Sequence, residues 1–205
     1  MSKRRKVIAL IINLLVVLLE TIGLTMCFYK YGLESFRYYT IDSNIIAFIA
    51  SFAYSIAMVI DLIYEQDKNH HIINVLKYLG ATALFITAIV VLTILGPMSS
   101  YKAVLLEDAM IYVHVLCPIL TIISYMFVEK QTLRGYKVAF FPLSYTFVYG
   151  IIILILNIKK EMVGPYPFFE VYNHNIFFCA GSCIAILVVT YLFSVFINIL
   201  NKKNS

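Results

Sequence analysis

Charge is nearly absent from this 205-residue chain. Asp, Glu, Lys and Arg make up 13% of it, against 62% hydrophobic residues and a mean hydropathy of +0.90. An ordinary soluble domain is about 25% charged, so the shortage excludes a water-soluble globule and makes lipid the solvent. Sixteen basic residues outnumber eleven acidic ones, for a net charge of +5. No basic patch is interleaved with aromatics, which excludes a nucleic-acid surface. Proline and glycine are also sparse, at 5 and 8 residues. The chain therefore has no Pro/Gly-rich linker, low-complexity tract or internal repeat, and it lacks the paired Gly-interrupted helices of inverted-repeat transporters. The four cysteines, Cys27, Cys117, Cys179 and Cys183, fall in or beside apolar stretches without pairing or metal spacing, and read as small buried hydrophobes. Gly-x-Ser-x-Gly, His-Glu-x-x-His, phosphate-loop and dinucleotide motifs are all missing. His70-His71, beside Asp67 and Asn69, reads as a solvated turn rather than a site of three or four converging ligands, so neither metal nor cofactor is expected.

What is there is apolar sequence in lengths that suit a bilayer. A spanning helix needs ~20 mostly apolar residues, and six such stretches stand out, roughly 7–28, 41–64, 73–95, 104–128, 137–158 and 174–200. The expected fold is all-α, a polytopic membrane protein built as one six-helix transmembrane domain over 1–205. The first run continues to Cys27 without a small-residue cleavage site and reads as a retained helix. The short connections Glu65–Ile72 and Glu129–Tyr136 predict antiparallel neighbours. With both termini cytoplasmic, Lys3, Arg4, Arg5, Lys6, Lys68, Lys77, Lys130, Arg134, Lys137, Lys202 and Lys203 lie inside, eleven of the sixteen basic residues. Lys30, Arg37, Lys102, Lys159 and Lys160 lie outside. The positive-inside rule selects that orientation. The Ile, Asn and Lys usage has a bacterial look, which makes the cell membrane the expected location.

Two polar side chains in apolar helical sequence carry the functional reading. Thr40 opens the second segment after Tyr38-Tyr39. As an N-cap it would satisfy a free amide while Asp42 meets the positive end of the helix dipole. Thr40, Asn44, Ala47, Ser51, Ser55 and Met58 also recur at three- and four-residue steps, a small and polar stripe suited to protein or a cavity rather than lipid. His114 lies ~10–15 Å inside the fourth segment at 1.5 Å per residue. It shares a face with Glu107, Cys117, Pro118, Thr121 and Ser124. Pro118 has no amide hydrogen, which leaves the His114 carbonyl without its helical partner and predicts a kink there. An ionisable group at this depth is a functional-site hypothesis by default. If the second and fourth helices touch, a neutral His114 can take the proton of Thr40 for nucleophilic catalysis. Ser43 and Asn44 are the oxyanion candidates, and Tyr145 and Tyr149 form a tyrosine face able to donate into the same cavity. The rigid aromatic stretch Gly164-Pro165-Tyr166-Pro167-Phe168-Phe169-Glu170 suits a lid over a lipid entrance.

Tyr39-Thr40-Ile41-Asp42-Ser43-Asn44, His114 with Pro118 four residues on, Phe141-Pro142-Leu143-Ser144-Tyr145 with Tyr149, and Tyr166-Pro167-Phe168-Phe169-Glu170 occur in one order across most of the chain. In this the sequence resembles the androgen-induced and androgen-dependent TFPI-regulating proteins and their bacterial multipass relatives. The mammalian members hydrolyse fatty acid esters of hydroxy fatty acids with a threonine and a histidine, and the resemblance carries those roles to Thr40 and His114. The chain departs from its bacterial relatives in having Ser124 where an acid is common, ten residues after the histidine, and in having no tryptophan. Glu107 or Asp42 is the candidate to orient the imidazole instead.

The expected function is an intramembrane hydrolase of fatty acid esters, acting on a lipid or fatty acyl substrate with a threonine nucleophile and a histidine base. The alternative is a small transporter or lipid-binding protein with a polar pathway around His114, in which Glu20 and Asp61 would extend a proton relay. A third reading is a structural membrane protein that binds a partner.

Overall fold

The computed structural model describes residues 1–129, 133 and 135–203, and Lys130 and Arg134 of the predicted inner basic group lie outside the described residues. The described chain is a bundle of helices with no strand. Helix α1 (Lys3–Tyr31) starts where Ser2 accepts the amide of Arg5 at 3.3 Å and stops at Gly32, whose φ of +55° favours glycine. A 3₁₀ turn, Gly32–Arg37, leads into α2 (Tyr39–Ile63), followed by α3 (His71–Met98), the short α4 (Tyr101–Leu105), α5 (Ile111–Val128), α6 (Tyr136–Ile158) and α7 (Ile176–Lys203). Six of these, all but α4, are long and apolar enough to cross a bilayer.

The predicted boundaries hold within a few residues except in the fourth segment. That helix begins at Ile111 rather than near 104, because the chain turns at Leu106–Ala109, with Asp108 at φ +49°. Of the residues this removes from the expected helix, Val104 and Leu105 end α4, which folds back toward α5.

Small residues set a close helix crossing. A Cβ on Gly80 would lie 3.2 Å from the Cα of Ala47, so α2 and α3 meet nearly backbone to backbone. The outward faces carry apolar side chains: Ile11, Leu15 and Leu18 on α1, Phe147 and Ile151 on α6, Ile184 and Val188 on α7. The interior is more polar than these faces. Lys77, expected at the cytoplasmic surface, is instead wholly buried in α3, 3.0 Å from the Glu129 carboxylate and 2.7 Å from Asn13 Oδ1. Ser51 accepts a further bond from the Lys77 ammonium, and Ser124 and Asn13 donate to Glu129. A charge in a medium without water needs such partners, which is why Lys77 turns inward to an acid rather than outward. At the same end of the bundle, the N-terminal amine meets Asp67 at 2.7 Å, and Arg5 donates to the carbonyls that close α5.

Candidate active site

The beginning of α2 carries the site. Its N-cap is Tyr38, which makes no side-chain capping bond, so the capping role expected for Thr40 is not the one it adopts. Thr40 is the second helical residue, and its hydroxyl points away from the helix axis toward α5. Amides in a first helical turn have no intrahelical acceptor. Here two of them are taken by tyrosines from elsewhere: Tyr39 N–H donates to the Tyr149 hydroxyl at 2.9 Å, and Thr40 N–H donates to the Tyr166 hydroxyl at 3.3 Å.

Helix α5 brings His114 to the same point, so α2 and α5 are neighbours and the two candidate residues meet. His114 Nε2 lies 3.3 Å from Thr40 Oγ1, and His114 Nδ1 lies 2.6 Å from the carbonyl oxygen of Val104 in α4. A carbonyl only accepts, so in a neutral imidazole the hydrogen sits on Nδ1 and the Nε2 lone pair faces the threonine hydroxyl. The four groups then form one directed chain. Tyr166 O–H donates to Thr40 Oγ1 at 3.4 Å, Thr40 O–H donates to His114 Nε2, and His114 Nδ1–H donates to Val104. The bonds around Thr40 are long, at 3.3 and 3.4 Å. Burial raises the Tyr166 phenol to about 12, so it keeps its proton at working pH and stays a donor.

The orienting group for the imidazole is thus a backbone carbonyl. Glu107 is exposed in the turn after α4, and Asp42 makes no hydrogen bond to His114. The position ten residues after the histidine, Ser124, belongs to the Lys77–Glu129 cluster instead.

Pro118 acts differently from a simple kink. Residues Ile111–Leu116 form a π-helical turn in which Cys117 N–H donates five residues back, to Tyr112. In that register the next donor would be Pro118, which has none, so the carbonyl left open is that of Val113 rather than His114. Asn44 Nδ2 donates to Val113 O at 3.2 Å and to Thr40 O at 2.6 Å. Its amide therefore ties the backbone of Thr40 to the residue before the histidine. Ser43 donates to Thr40 O at 2.9 Å and pairs with Thr87 of α3 at 2.9 Å. Neither expected oxyanion donor points at the space beside Thr40 Oγ1. The group that does is the Tyr166 hydroxyl, 3.4 Å from Thr40 Oγ1, which itself takes up the Thr40 amide.

The expected tyrosine face divides. Tyr149 lines the cavity, but its hydroxyl donates to Arg37 O at 2.6 Å and clamps the start of α2. Tyr145 packs on Tyr39 with ring centres 5.5 Å apart, and its buried hydroxyl has no hydrogen-bond partner. Tyr39 instead reaches Thr146 at 2.9 Å.

Over the site lies the segment between α6 and α7. Gly164 folds against Phe169 so closely that a Cβ would sit 2.7 Å from the Phe169 carbonyl carbon. Asn157 at the end of α6 fixes both limbs, donating to Met162 O and accepting from Val171 N–H, each at 3.1 Å. Phe168 stacks on Tyr166 with ring centres 5.4 Å apart and both phenylalanines of the loop are buried. Sequence reasoning marked this loop as a lid and missed Tyr166 as a member of the site. The signal was present in Pro165-Tyr166-Pro167, two prolines that hold one side chain in place.

Below the loop, between α2, α3, α6 and α7, a cavity of about 100 Å³ reaches Thr40 but not His114, which stands behind the threonine. Thr87 precedes Met98 by eleven residues and Tyr149 precedes Ile158 by nine, so the site sits ~14–16 Å below those helix ends at 1.5 Å per residue.

Of the two companions suggested for a proton relay, Glu20 lies about one turn of α5 from His114 and Asp61 is remote. Glu20 is buried against Cys117, and Asp61 meets His70 at 3.2 Å at the far end of α2, twenty-one residues or ~31 Å from Thr40. Among the described residues no group of three His, Cys, Asp or Glu side chains converges on a metal position, and all four cysteines are free thiols. Comparison of the chain with protein families, curated proteins and solved structures finds no match.

Proposed function

We propose that this protein is an intramembrane hydrolase that cleaves fatty acyl esters, with Thr40 as nucleophile and His114 as general base. One observation carries the reading: the Val104 carbonyl holds the Nδ1 hydrogen, which leaves the His114 Nε2 lone pair 3.3 Å from the Thr40 hydroxyl at the wall of a mainly apolar cavity.

In the first step Thr40 Oγ1 attacks the ester carbonyl carbon and its proton passes to His114 Nε2. The negative charge that develops on the carbonyl oxygen is met by the Tyr166 hydroxyl, which accepts from the Thr40 amide at the positive end of α2 and turns its own hydrogen from Thr40 Oγ1 to the oxyanion. When the tetrahedral intermediate collapses, the C–O bond to the alcohol breaks and His114 gives its proton to the departing oxygen. Water then attacks the acyl-threonine, passing a proton to His114. Collapse of the second intermediate frees the fatty acid and returns that proton to Thr40. Fatty acid esters of hydroxy fatty acids, the substrates implied by the resemblance in the sequence, are one class that fits this chemistry.

The test is a fluorophosphonate probe and a panel of branched fatty acid esters offered to purified wild type, Thr40→Ala and His114→Ala. Labelling and turnover present in wild type and lost in both folded variants support the reading. A folded wild type that neither labels nor turns over any ester sinks it. The transport alternative draws on the buried Lys77–Glu129 pair, and uptake into vesicles that persists in Thr40→Ala would favour it.

A further inference from the structure

We infer that the cavity beside Thr40 is an acyl-chain site filled sideways from the bilayer, through the seam between α6 and α7. Thr40 and Tyr166, whose hydroxyls lie 3.4 Å apart, are in its lining together with Thr87 and Thr146, and Ile86, Val90, Leu154 and Ile186 add hydrocarbon walls. Such a lining offers an ester hydroxyl groups at Thr40 and hydrocarbon beyond.

The entrance follows from exposure. Phe147 and Ile151 line the cavity, yet they are 50% and 40% exposed on the outward face of α6, where lipid is the only solvent. A second apolar groove runs along the same seam past Leu143, Tyr191 and Leu192, and it shares Phe147 and Leu187 with the cavity. The two form one apolar track from the bilayer to the nucleophile. The way from water is closed by Phe168 and Phe169, held down through Asn157.

The track also limits its occupant. No charged side chain lines it. A buried phosphate or carboxylate would lack a counter-charge, at an effective penalty of several kcal/mol. The occupant is therefore the acyl arm of a lipid whose charged part, if it has one, stays at the mouth. This rests on the hydrolase reading only in stopping the ester at Thr40; occupancy by an acyl chain stands apart from turnover.

The experiment uses Thr40→Ala protein in phosphatidylcholine nanodiscs with a palmitoyl ester of an uncharged alcohol bearing a diazirine on its chain, followed by light and peptide mapping. Adducts are expected to concentrate on residues 147–154 and 183–187. Gly150→Leu should abolish them by filling the cavity from a position where a Cβ meets only the Phe169 ring, at 3.7 Å. Adducts on Leu15 and Leu18 of α1, which face lipid, should not change. Phe147→Trp, at an exposed position, narrows the mouth and serves the same purpose if Gly150→Leu fails to fold. Adducts spread evenly over α1, α6 and α7, or unchanged in a folded plug variant, would mean annular lipid only and would overturn the inference. Adducts at the seam without turnover in wild type would retire the hydrolase and keep the lipid site, whereas turnover without them would retire the seam alone.

Discussion

A threonine hydroxyl is a weak nucleophile at its own pKa, so everything at the residue scale depends on what surrounds Thr40. His114 presents a lone pair to it, and Tyr166 donates to the same oxygen. Replacing Tyr166 by Phe leaves the ring packing against Phe168 in place and removes one donor from the developing oxyanion. Turnover should fall by ~10²–10³ with little change in KM, as loss of a single oxyanion donor does elsewhere. A fall in KM-limited binding with kcat preserved would assign Tyr166 to packing instead. With the phenol raised to about 12, the pH–rate profile should stay level on its alkaline side until well above neutrality. An alkaline limb near pH 8 that disappears in Tyr166→Phe would contradict that assignment. The identities of Thr40 and His114 were legible in the sequence because polar groups in apolar helices stand out. Tyr166 was not, since aromatic residues near a membrane surface are common for reasons unrelated to chemistry.

At the scale of elements, two helices are joined by one amide. Asn44 spans α2 and α5, bonding the carbonyls of Thr40 and Val113. Asn44→Leu leaves both deprived of that donor, and the open Val113 carbonyl has no water to turn to. A loss of ~1–3 kcal/mol of stability is expected, together with a drop in turnover larger than that stability loss alone would produce in a still-folded protein. Thermal unfolding and kinetics on the same sample separate the two. Lys77 and Glu129 pose a different case. Either single change to Ala strands a buried charge and should destabilise by ~3–5 kcal/mol, whereas replacing both by apolar residues of similar volume should recover most of it. A double variant no better than the singles would show that the pair contributes more than mutual neutralisation. The π-helical turn explains why the sequence pointed at the wrong carbonyl. A proline's missing amide is visible in the sequence, but which carbonyl it abandons depends on the local register, and the register depends on Asn44 being there to serve Val113.

For the whole molecule, an even number of spanning helices puts both termini at one face, together with the α2–α3 connection. We propose, on the distribution of Lys and Arg, that this face is the cytoplasmic one. Single-cysteine variants on a background without native cysteines should therefore label from outside at Lys160 and Tyr172, but not at Lys3 or Lys68. The reverse pattern would invert the orientation while leaving the site geometry intact. Depth is also a property of the whole. The site lies well below the ends of α3 and α6, because α2 starts partway into the bundle and the 162–171 segment descends to cover it.

Composition alone determined that the chain lives in lipid and crosses it six times, since the penalty for unpaired backbone groups in hydrocarbon leaves an apolar run of this length few other folds. Only the tertiary structure decided that α2 and α5 touch, that the imidazole is oriented by the Val104 carbonyl rather than an acid, and that Lys77 is a buried ion-pair partner instead of a surface charge. The physical reason is common to all three. Hydrophobic length is a local sum over neighbouring residues, whereas hydrogen-bond partners separated by 10, 52 or 74 positions are selected by packing, in which each polar group takes the nearest group able to satisfy it.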